Sequence, residues 1–194
     1  ISTFYVIEKM APCKALISAH TRWKRLLECE KRIDQKMLQG LWGEFWVLNT
    51  ALSNEMIDSM NLLHNWTGPM GAPNDFTFGN ACVEVKTTTH TDNIVQISSL
   101  HQLDVCNAWI ILIKIFHVAK EDGGKSVNDL FKEIRKHLSP MEDEVFLKHV
   151  EYLCPADILN EYDNYTFKES SYPNIIAIDD KTPILTESRL KQMY

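Results

Sequence analysis

The sequence lacks several features that mark membrane, secreted, repeat, disulfide-rich or zinc-binding proteins. No apolar run approaches the roughly 20 residues of a membrane-spanning helix, and the longest, Ala108 to Phe116, contains Lys114. We find no signal peptide, internal repeat or low-complexity tract. The five cysteines are odd in number and form no CxxC pair, which argues against a disulfide framework or a zinc site. We therefore expect reduced thiols, a cytoplasmic location and no membrane partner.

The common histidine and glycine motifs for metal and nucleotide binding are also missing. The seven histidines show no HxxxH or HExxH spacing. The stretch Gly123-Gly124-Lys125-Ser126 is similar to the end of a phosphate-binding loop, but the position of the first glycine is Ala119. We predict instead a turn followed by a helix that Ser126 caps.

Positive charge is scarce except at the start of the chain. The formal net charge is −6. Residues 1–36 carry eight Lys or Arg and four acids, so this segment is +4 and the remainder must be −10. Clustered basic residues of this kind are needed for contacts with nucleic-acid phosphates, but they also occur on solvated helix faces. Residues 1–36, which we expect to be mostly helical, could therefore be a phosphate-binding surface or a solvated helix face.

Length and composition predict a single globular domain over residues 1–194. The chain is 45% hydrophobic and 24% charged, which is enough for one good core and too little for two. It begins with Ile1 rather than Met, which is compatible with a fragment of a longer chain.

Hydrophobic periodicity predicts helices and strands in a mixed order. The order predicts an α/β fold with a mixed central sheet flanked by helices. The predicted helices cover 13–38, 37–52 and 54–64 and two segments that begin after Ser126 and Ser139, and the predicted strands cover 75–78, 81–88, 94–98, 109–116 and 174–178. The apolar stripe of helix 37–52 and the turn before it is Ile33, Met37, Leu41, Phe45, Leu48 and Leu52, and the stripe after Ser126 is Val127, Leu130, Phe131, Ile134 and Leu138.

Three charged side chains lie on the two strands of a predicted hairpin. Glu84 and Lys86 are two residues apart, so they project to one face of their strand. A two-residue turn at Gly79-Asn80 would place Asp75 directly opposite Glu84. Directly opposed like charges are destabilising, so two carboxylates in this position need a cation between them. An acid-x-Lys pattern alone is more often a solvated strand face.

A third acid, Glu44, falls inside the apolar stripe of the predicted helix 37–52 rather than on its polar side. A carboxylate on the core face is unfavourable unless it is paired or binds a metal. Glu44 could therefore bond to an Arg or a backbone amide, or it could point at the same site as Asp75 and Glu84.

These motifs resemble the PD-(D/E)xK nuclease superfamily, whose signature is an acid at the end of one strand and an acid-x-Lys on the next. The signature stands here as Pro73-Asn74-Asp75 and Glu84-Val85-Lys86, with one residue inserted after the Pro. Glu44 matches the Glu that the superfamily commonly carries on the preceding helix. The chain is also similar to the prokaryotic "PD-(D/E)xK motif protein" family of restriction and phage-defence gene clusters, through Trp23-Lys-Arg-Leu-Leu, Gly40-Leu-Trp-Gly-Glu44, Trp66-Thr-Gly-Pro, Ile97-Ser-Ser-Leu-His-Gln102-Leu and Tyr172-Pro.

The resemblance implies a restriction-endonuclease-like core and a metal-dependent phosphodiester hydrolase. The implied enzyme is a Mg²⁺-dependent DNA endonuclease of a restriction or phage-defence system, with Mn²⁺ able to substitute. Lys86 is then expected to orient the attacking water, and Gln102 to position water or a phosphate. The implied partners are DNA, other proteins of a defence gene cluster, and a second copy of the chain as a homodimer. The implied metal ligands are Asp75, Glu84, the Val85 carbonyl and Glu44.

Two other functions stay open at this point. One is a non-catalytic, nuclease-like subunit that binds DNA or assembles a defence complex. The other is a structural protein in which Glu84 and Lys86 merely pair with neighbours. Among the nucleases, the Gln-x-x-x-Tyr motif of exonuclease-type relatives is missing, because Cys106 stands four residues after Gln102, and this favours endonucleolytic cutting.

Overall fold

The computed structural model describes residues 34–90, 107–153, 158–179 and 182. All the helices and strands below belong to one compact unit that begins at Gln35. The helices are α1 (Gln35–Ser53), α2 (Ser59–Asn65), α3 (Val127–Lys136) and α4 (Pro140–Leu153), with short 3₁₀ helices at Gly68–Met70, Lys120–Asp122 and Ile158–Tyr162. The strands are β1 (Phe76–Phe78), β2 (Ala81–Thr88), β3 (Ala108–His117), β4 (Phe167–Glu169) and β5 (Asn174–Ile178).

Some predicted features lie outside the described residues. They are nearly all of the basic segment 1–36, the strand predicted at 94–98, the turn that carries Gln102, and four cysteines: Cys13, Cys29, Cys106 and Cys154. The prediction of a single domain stays a prediction. Cys82, which is described, is a free thiol as expected.

The five strands form one mixed sheet with β3 at its centre. β1 and β2 are antiparallel, β2 and β3 are parallel, and β4 and β5 both pair antiparallel with β3. Burial explains why the β3 segment is a nearly continuous apolar run. Its most deeply buried side chains are Ala108, Ile110, Leu112, Ile113 and Ile115. This sheet and its flanking helices confirm the predicted α/β fold and are consistent with a restriction-endonuclease-like core.

The β1–β2 hairpin has the turn that the sequence predicts. Phe78 pairs with Ala81 across the turn, and Gly79 takes a φ of 62°. Glycine adopts this left-handed conformation readily because it has no Cβ. The register continues to the open end of the hairpin, where Asp75 comes level with Glu84, one step beyond the last paired residues.

Helix α1 approaches β2 closely because Gly43 has no side chain. A Cβ at Gly43 would lie 2.5 Å from Thr87 Cγ2 and 3.2 Å from Val85 Cγ1, so a larger residue would push the helix away from the strand. Glu44 follows Gly43, and this approach therefore also limits how far Glu44 lies from β2. The other buried residues of α1 are Leu38, Leu41, Trp42, Phe45, Leu48 and Leu52.

Three details of the predicted helices were wrong. Met37 was expected in the apolar stripe of α1, but it is 53% exposed because the buried stripe begins one residue later. Helix α2 begins at Ser59 rather than at residue 54, because the Asp58 side chain caps it there. Helix α3 ends at Lys136, so Leu138 lies beyond its last turn.

The Gly123-Gly124-Lys125-Ser126 stretch is a turn followed by a helix cap, as predicted. Gly123 has a φ of 88° and ends a 3₁₀ helix. The Asp129 N–H donates to Ser126 Oγ while the Ser126 N–H donates to the Asp129 carboxylate, which makes a capping box for α3. Lys125 forms an ion pair with Glu133 at 2.7 Å. Among the described helices, none is both long enough and apolar enough to cross a lipid bilayer.

Candidate metal centre

Asp75 is fixed at both its backbone and its side chain. Its carbonyl accepts the N–H groups of Thr67 at 2.8 Å and Gly68 at 2.9 Å. Its Oδ2 accepts the Val85 N–H at 2.7 Å. This bond lies along the edge of β2 that pairs with β1, just beyond the last paired residues. The N–H and C=O of one residue in an extended strand point to the same side. The Val85 carbonyl is therefore directed to the same edge of β2 as the Asp75 carboxylate.

Glu84 and Lys86 lie on one face of β2 and form an ion pair. Lys86 Nζ donates to Glu84 Oε1 at 2.6 Å, and the Glu84 side chain is only 3% exposed. A carboxylate buried this deeply needs a compensating partner, because charge is costly to remove from water. Lys86 therefore stabilises Glu84 in this arrangement, whatever else it does.

Glu44 reaches the same region from α1 and is partly buried. Trp66 Nε1 donates to Glu44 Oε2 at 2.7 Å, and Trp66 itself is fully buried. An indole N–H orients a carboxylate but carries no positive charge that would neutralise it. Glu44 therefore has a hydrogen-bond partner, but this partner is an indole rather than the Arg or backbone amide that the sequence suggested.

Burial and mutual repulsion raise the pKa of two of these three carboxyl groups. The pKa of Glu44 rises to about 8, chiefly through desolvation and then through the Asp75 charge, while the Trp66 hydrogen bond opposes the rise. The pKa of Asp75 rises to about 7, chiefly through desolvation and then through the Glu84 charge, while the Val85 N–H opposes it. The three acids are therefore close enough to repel one another.

The donor set fits a hard divalent cation, although the acids are not gathered as tightly as ligands of a bound ion. Within residues 34–90, 107–153 and 158–179, no group of three His, Cys, Asp or Glu side chains has metal-binding geometry. Carboxylates are nevertheless the ligands that Mg²⁺ prefers. The missing side chain of Gly68 also leaves a cradle beside two of them, which a Cβ 3.3 Å from both Asp75 Oδ1 and Glu44 Oε2 would fill. The residues present therefore fit a small divalent cation by their chemistry.

Gln102, the remaining polar residue predicted for the site, lies outside the described residues, so its role stays a prediction. His90, two residues beyond the end of β2, is exposed and donates its backbone N–H to Thr88 Oγ1, and we assign it no part in the site. Conversely, the contact of Trp66 with Glu44 was missed. The Trp-Thr-Gly-Pro motif drew attention to Trp66, but no spacing rule connects it to a residue 22 positions earlier.

The family comparison adds an independent line of evidence. A family model described as "Putative PD-(D/E)XK family member, (DUF4420)" matches residues 6–193. The chain belongs to the DUF4420 family. No curated protein and no solved structure gives a significant match. Membership of DUF4420 confirms the predicted relation to the PD-(D/E)xK superfamily and supports a nuclease-like fold, in a group of proteins that generally use divalent metals.

The raised pKa values predict that the metal-free DUF4420 protein loses stability as the pH rises. Both folded pKa values, about 8 for Glu44 and about 7 for Asp75, exceed the ordinary 4.5 and 3.8. Between these two sets of pKa values, the folded state keeps protons that the unfolded state has already released. The free energy of unfolding therefore falls as the pH rises from the ordinary to the raised pKa values, and it levels off at higher pH. A loss of about 1 kcal/mol lowers the Tm of a chain this size by about 2–4 °C.

Thermal melts in excess chelator, at a series of pH values across this window, measure the effect. Because other groups titrate too, the decisive quantity is the Tm of Glu44→Gln minus the Tm of the unmodified chain. This difference should grow as the pH rises, since only the unmodified chain acquires the Glu44 charge. A difference that is constant or shrinks would show that Glu44 is not held in its neutral form by the fold.

Proposed function

We propose that this protein is a divalent-metal-dependent phosphodiester hydrolase that cuts DNA internally. The observation that carries the proposal is the approach of three acids from three different segments: Asp75 binds the Val85 N–H next to Glu84, the same Gly68 borders Asp75 and Glu44, and Lys86 pairs with Glu84. Membership of DUF4420 supports it, because the PD-(D/E)xK signature has these residue types in this order along the chain.

The residues that would hold Mg²⁺ or Mn²⁺ are Asp75, Glu84 and the Val85 carbonyl, with Glu44 as a further ligand directly or through water. When bound, such an ion supplies Lewis-acid activation of the scissile phosphate and of the attacking water. The Val85 N–H keeps Asp75 directed along the edge of β2. The Trp66 N–H keeps Glu44 directed towards Asp75.

Lys86 is the residue that we assign to the transition state. Its side chain lies on the same strand face as Glu84 and is 18% exposed, so a phosphate in the site could reach it. It would orient the attacking water and offset the negative charge that develops on the phosphate oxygens. A cation in the site would at the same time replace Lys86 as the counter-charge of Glu84.

DNA as the substrate, and restriction or phage defence as the setting, are proposed on the family resemblance. The missing Gln-x-x-x-Tyr motif supports internal cutting of duplex DNA over digestion from ends. A site with three acids repels phosphate until a cation binds, so cleavage should depend strictly on the metal. Gln102, proteins of the same gene cluster and a second copy of the chain are further contributors that we propose on the same grounds.

A plasmid assay tests this function. Closed circular plasmid and the same DNA in linear form are each incubated with the protein and Mg²⁺ or Mn²⁺. We expect nicked or linear product from the closed circles, and no product in excess chelator. Degradation of the linear DNA alone would replace internal cutting by exonuclease action. No product from either DNA, by a protein that binds Mn²⁺, would favour the non-catalytic subunit.

A further inference from the structure

A short segment, Trp66 to Gly68, contacts two of the acids in the site. Trp66 Nε1 donates to Glu44 Oε2 at 2.7 Å. The backbone N–H groups of Thr67 and Gly68 donate to the Asp75 carbonyl at 2.8 and 2.9 Å. The segment thus connects a side chain of α1 to the residue that precedes β1. These two acids lie 31 positions apart in the sequence.

The segment is itself held in place on its far side. The Trp66 ring packs edge-on against Phe45 at a centroid distance of 5.8 Å, and it packs against Phe146 at 5.9 Å with the two ring planes tilted by 30°. Thr67 Oγ1 donates to the Asn74 carbonyl at 3.1 Å. Side chains locked by packing and by further hydrogen bonds hold a site more precisely than loops that are free to move. Trp66 and Thr67 are therefore held in place, together with the N–H groups through which they contact Glu44 and Asp75.

Gly68 is the point at which the segment borders both acids. A Cβ there would lie 3.3 Å from Glu44 Oε2, 3.3 Å from Asp75 Oδ1 and 3.2 Å from Asp75 Cα. The φ of Gly68 is outside the left-handed region, unlike that of Gly71, Gly79 and Gly123. Backbone strain therefore does not explain why this residue is a glycine. The crowding that a Cβ would meet, against Asp75 Cα and one oxygen of each carboxylate, does.

We propose that the Trp66–Gly68 segment sets the spacing of Glu44 and Asp75, and that Gly68 keeps open the space in which the divalent cation binds. The proposal rests on the metal centre of the proposed function, but it concerns positioning residues that do not themselves bind the ion. Residues of this kind tune metal affinity through the ligands that they orient.

Gly68→Ala tests the proposal by adding one methyl group to this space. The probe is Mn²⁺ alone, titrated calorimetrically without DNA. We expect Mn²⁺ affinity to fall by roughly 10–100-fold, while the Tm in chelator stays close to that of the unmodified chain. Gly40→Ala is the matched control, because a Cβ at Gly40 meets nothing within 4 Å. Its Mn²⁺ affinity should not change.

Trp66→Phe provides a second measurement. Phenylalanine keeps an aromatic ring among Phe45 and Phe146 but removes the N–H that orients Glu44. Mn²⁺ affinity should fall here as well, within the same range of roughly 10–100-fold. Because a smaller ring also loosens the core, its Tm is recorded in parallel, and affinity is compared at a temperature where both proteins are folded.

The outcomes separate this proposal from the proposed function. Unchanged Mn²⁺ affinity in Gly68→Ala would overturn the positioning role and leave the hydrolase intact. A Gly68→Ala protein that no longer folds would also overturn it, since the glycine would then serve folding. Absence of Mn²⁺ binding by the unmodified chain would overturn both. Weakened binding in Gly68→Ala, with an unmodified chain that binds Mn²⁺ but cuts no DNA, would support this proposal and count against the hydrolase.

Discussion

Asp75→Asn is expected to abolish divalent-cation binding and DNA cleavage together while making the metal-free protein more stable. The amide keeps the shape of the side chain and can still accept the Val85 N–H. It removes one negative charge from the ligand set. Loss of a residue that only orients a ligand lowers metal affinity by up to about 100-fold, so we expect the loss of a ligand to lower Mn²⁺ affinity by more than about 100-fold. The repulsion that raises the pKa of Asp75 and Glu44 is relieved at the same time, so the apo Tm should rise.

Calorimetric titration with Mn²⁺ and melts in chelator measure these two changes. Their opposite signs matter, because a variant that simply misfolds would lose affinity and stability together. Asp58→Asn is the matched control: it makes the same chemical change at the N-cap of α2, where Asn caps about as well as Asp. Wild-type Mn²⁺ affinity in Asp75→Asn would remove Asp75 from the metal centre.

Lys86→Met is expected to lower the cleavage rate by about 10²–10³-fold, which is typical for the loss of one group that stabilises transition-state charge. The substitution keeps the aliphatic stem and removes the ammonium group. Metal binding should survive, because Lys86 is not a ligand. The rate of plasmid nicking at saturating Mg²⁺ measures the effect, and Lys132→Met, at an exposed lysine of α3, is the control.

The same substitution should also lower the Tm of the metal-free protein. On sequence alone, a strand-face lysine beside two acids would be expected to contribute little to stability. The 2.6 Å ion pair with a Glu84 that is 3% exposed changes this expectation. Breaking a buried pair leaves an uncompensated charge behind, and a bound cation should restore part of the lost stability. Nicking at the unmodified rate by metal-loaded Lys86→Met would exclude Lys86 from the chemistry.

The hairpin and the placement of its charges could be predicted because their determinants are local. A glycine that tolerates positive φ marks the turn at Gly79, and the period of two along β2 decides which side chains share a face. Asp75, Glu84 and Lys86 lie within twelve consecutive residues, 75–86, so no knowledge of the tertiary fold was needed to place them relative to one another.

The contacts that hold Glu44 and Lys86 in the site could not be predicted in this way, because they depend on packing between segments that are distant in the sequence. Glu44 comes near the hairpin because Gly43 lets α1 approach Thr87, and its carboxylate is oriented by Trp66, a residue of another segment. The sequence likewise leaves open whether Lys86 points at Glu84 or away from it. That choice is decided by the burial of Glu84, which depends on the elements packed around it.

Anomalous diffraction from crystals grown with Mn²⁺ is the most direct test of the metal centre. A peak is expected between the carboxylates of Asp75 and Glu84, within reach of the Val85 carbonyl, and crystals of Asp75→Asn grown in the same way should lack it. A peak at another place, or none at saturating Mn²⁺, would contradict the assignment of these residues as metal ligands.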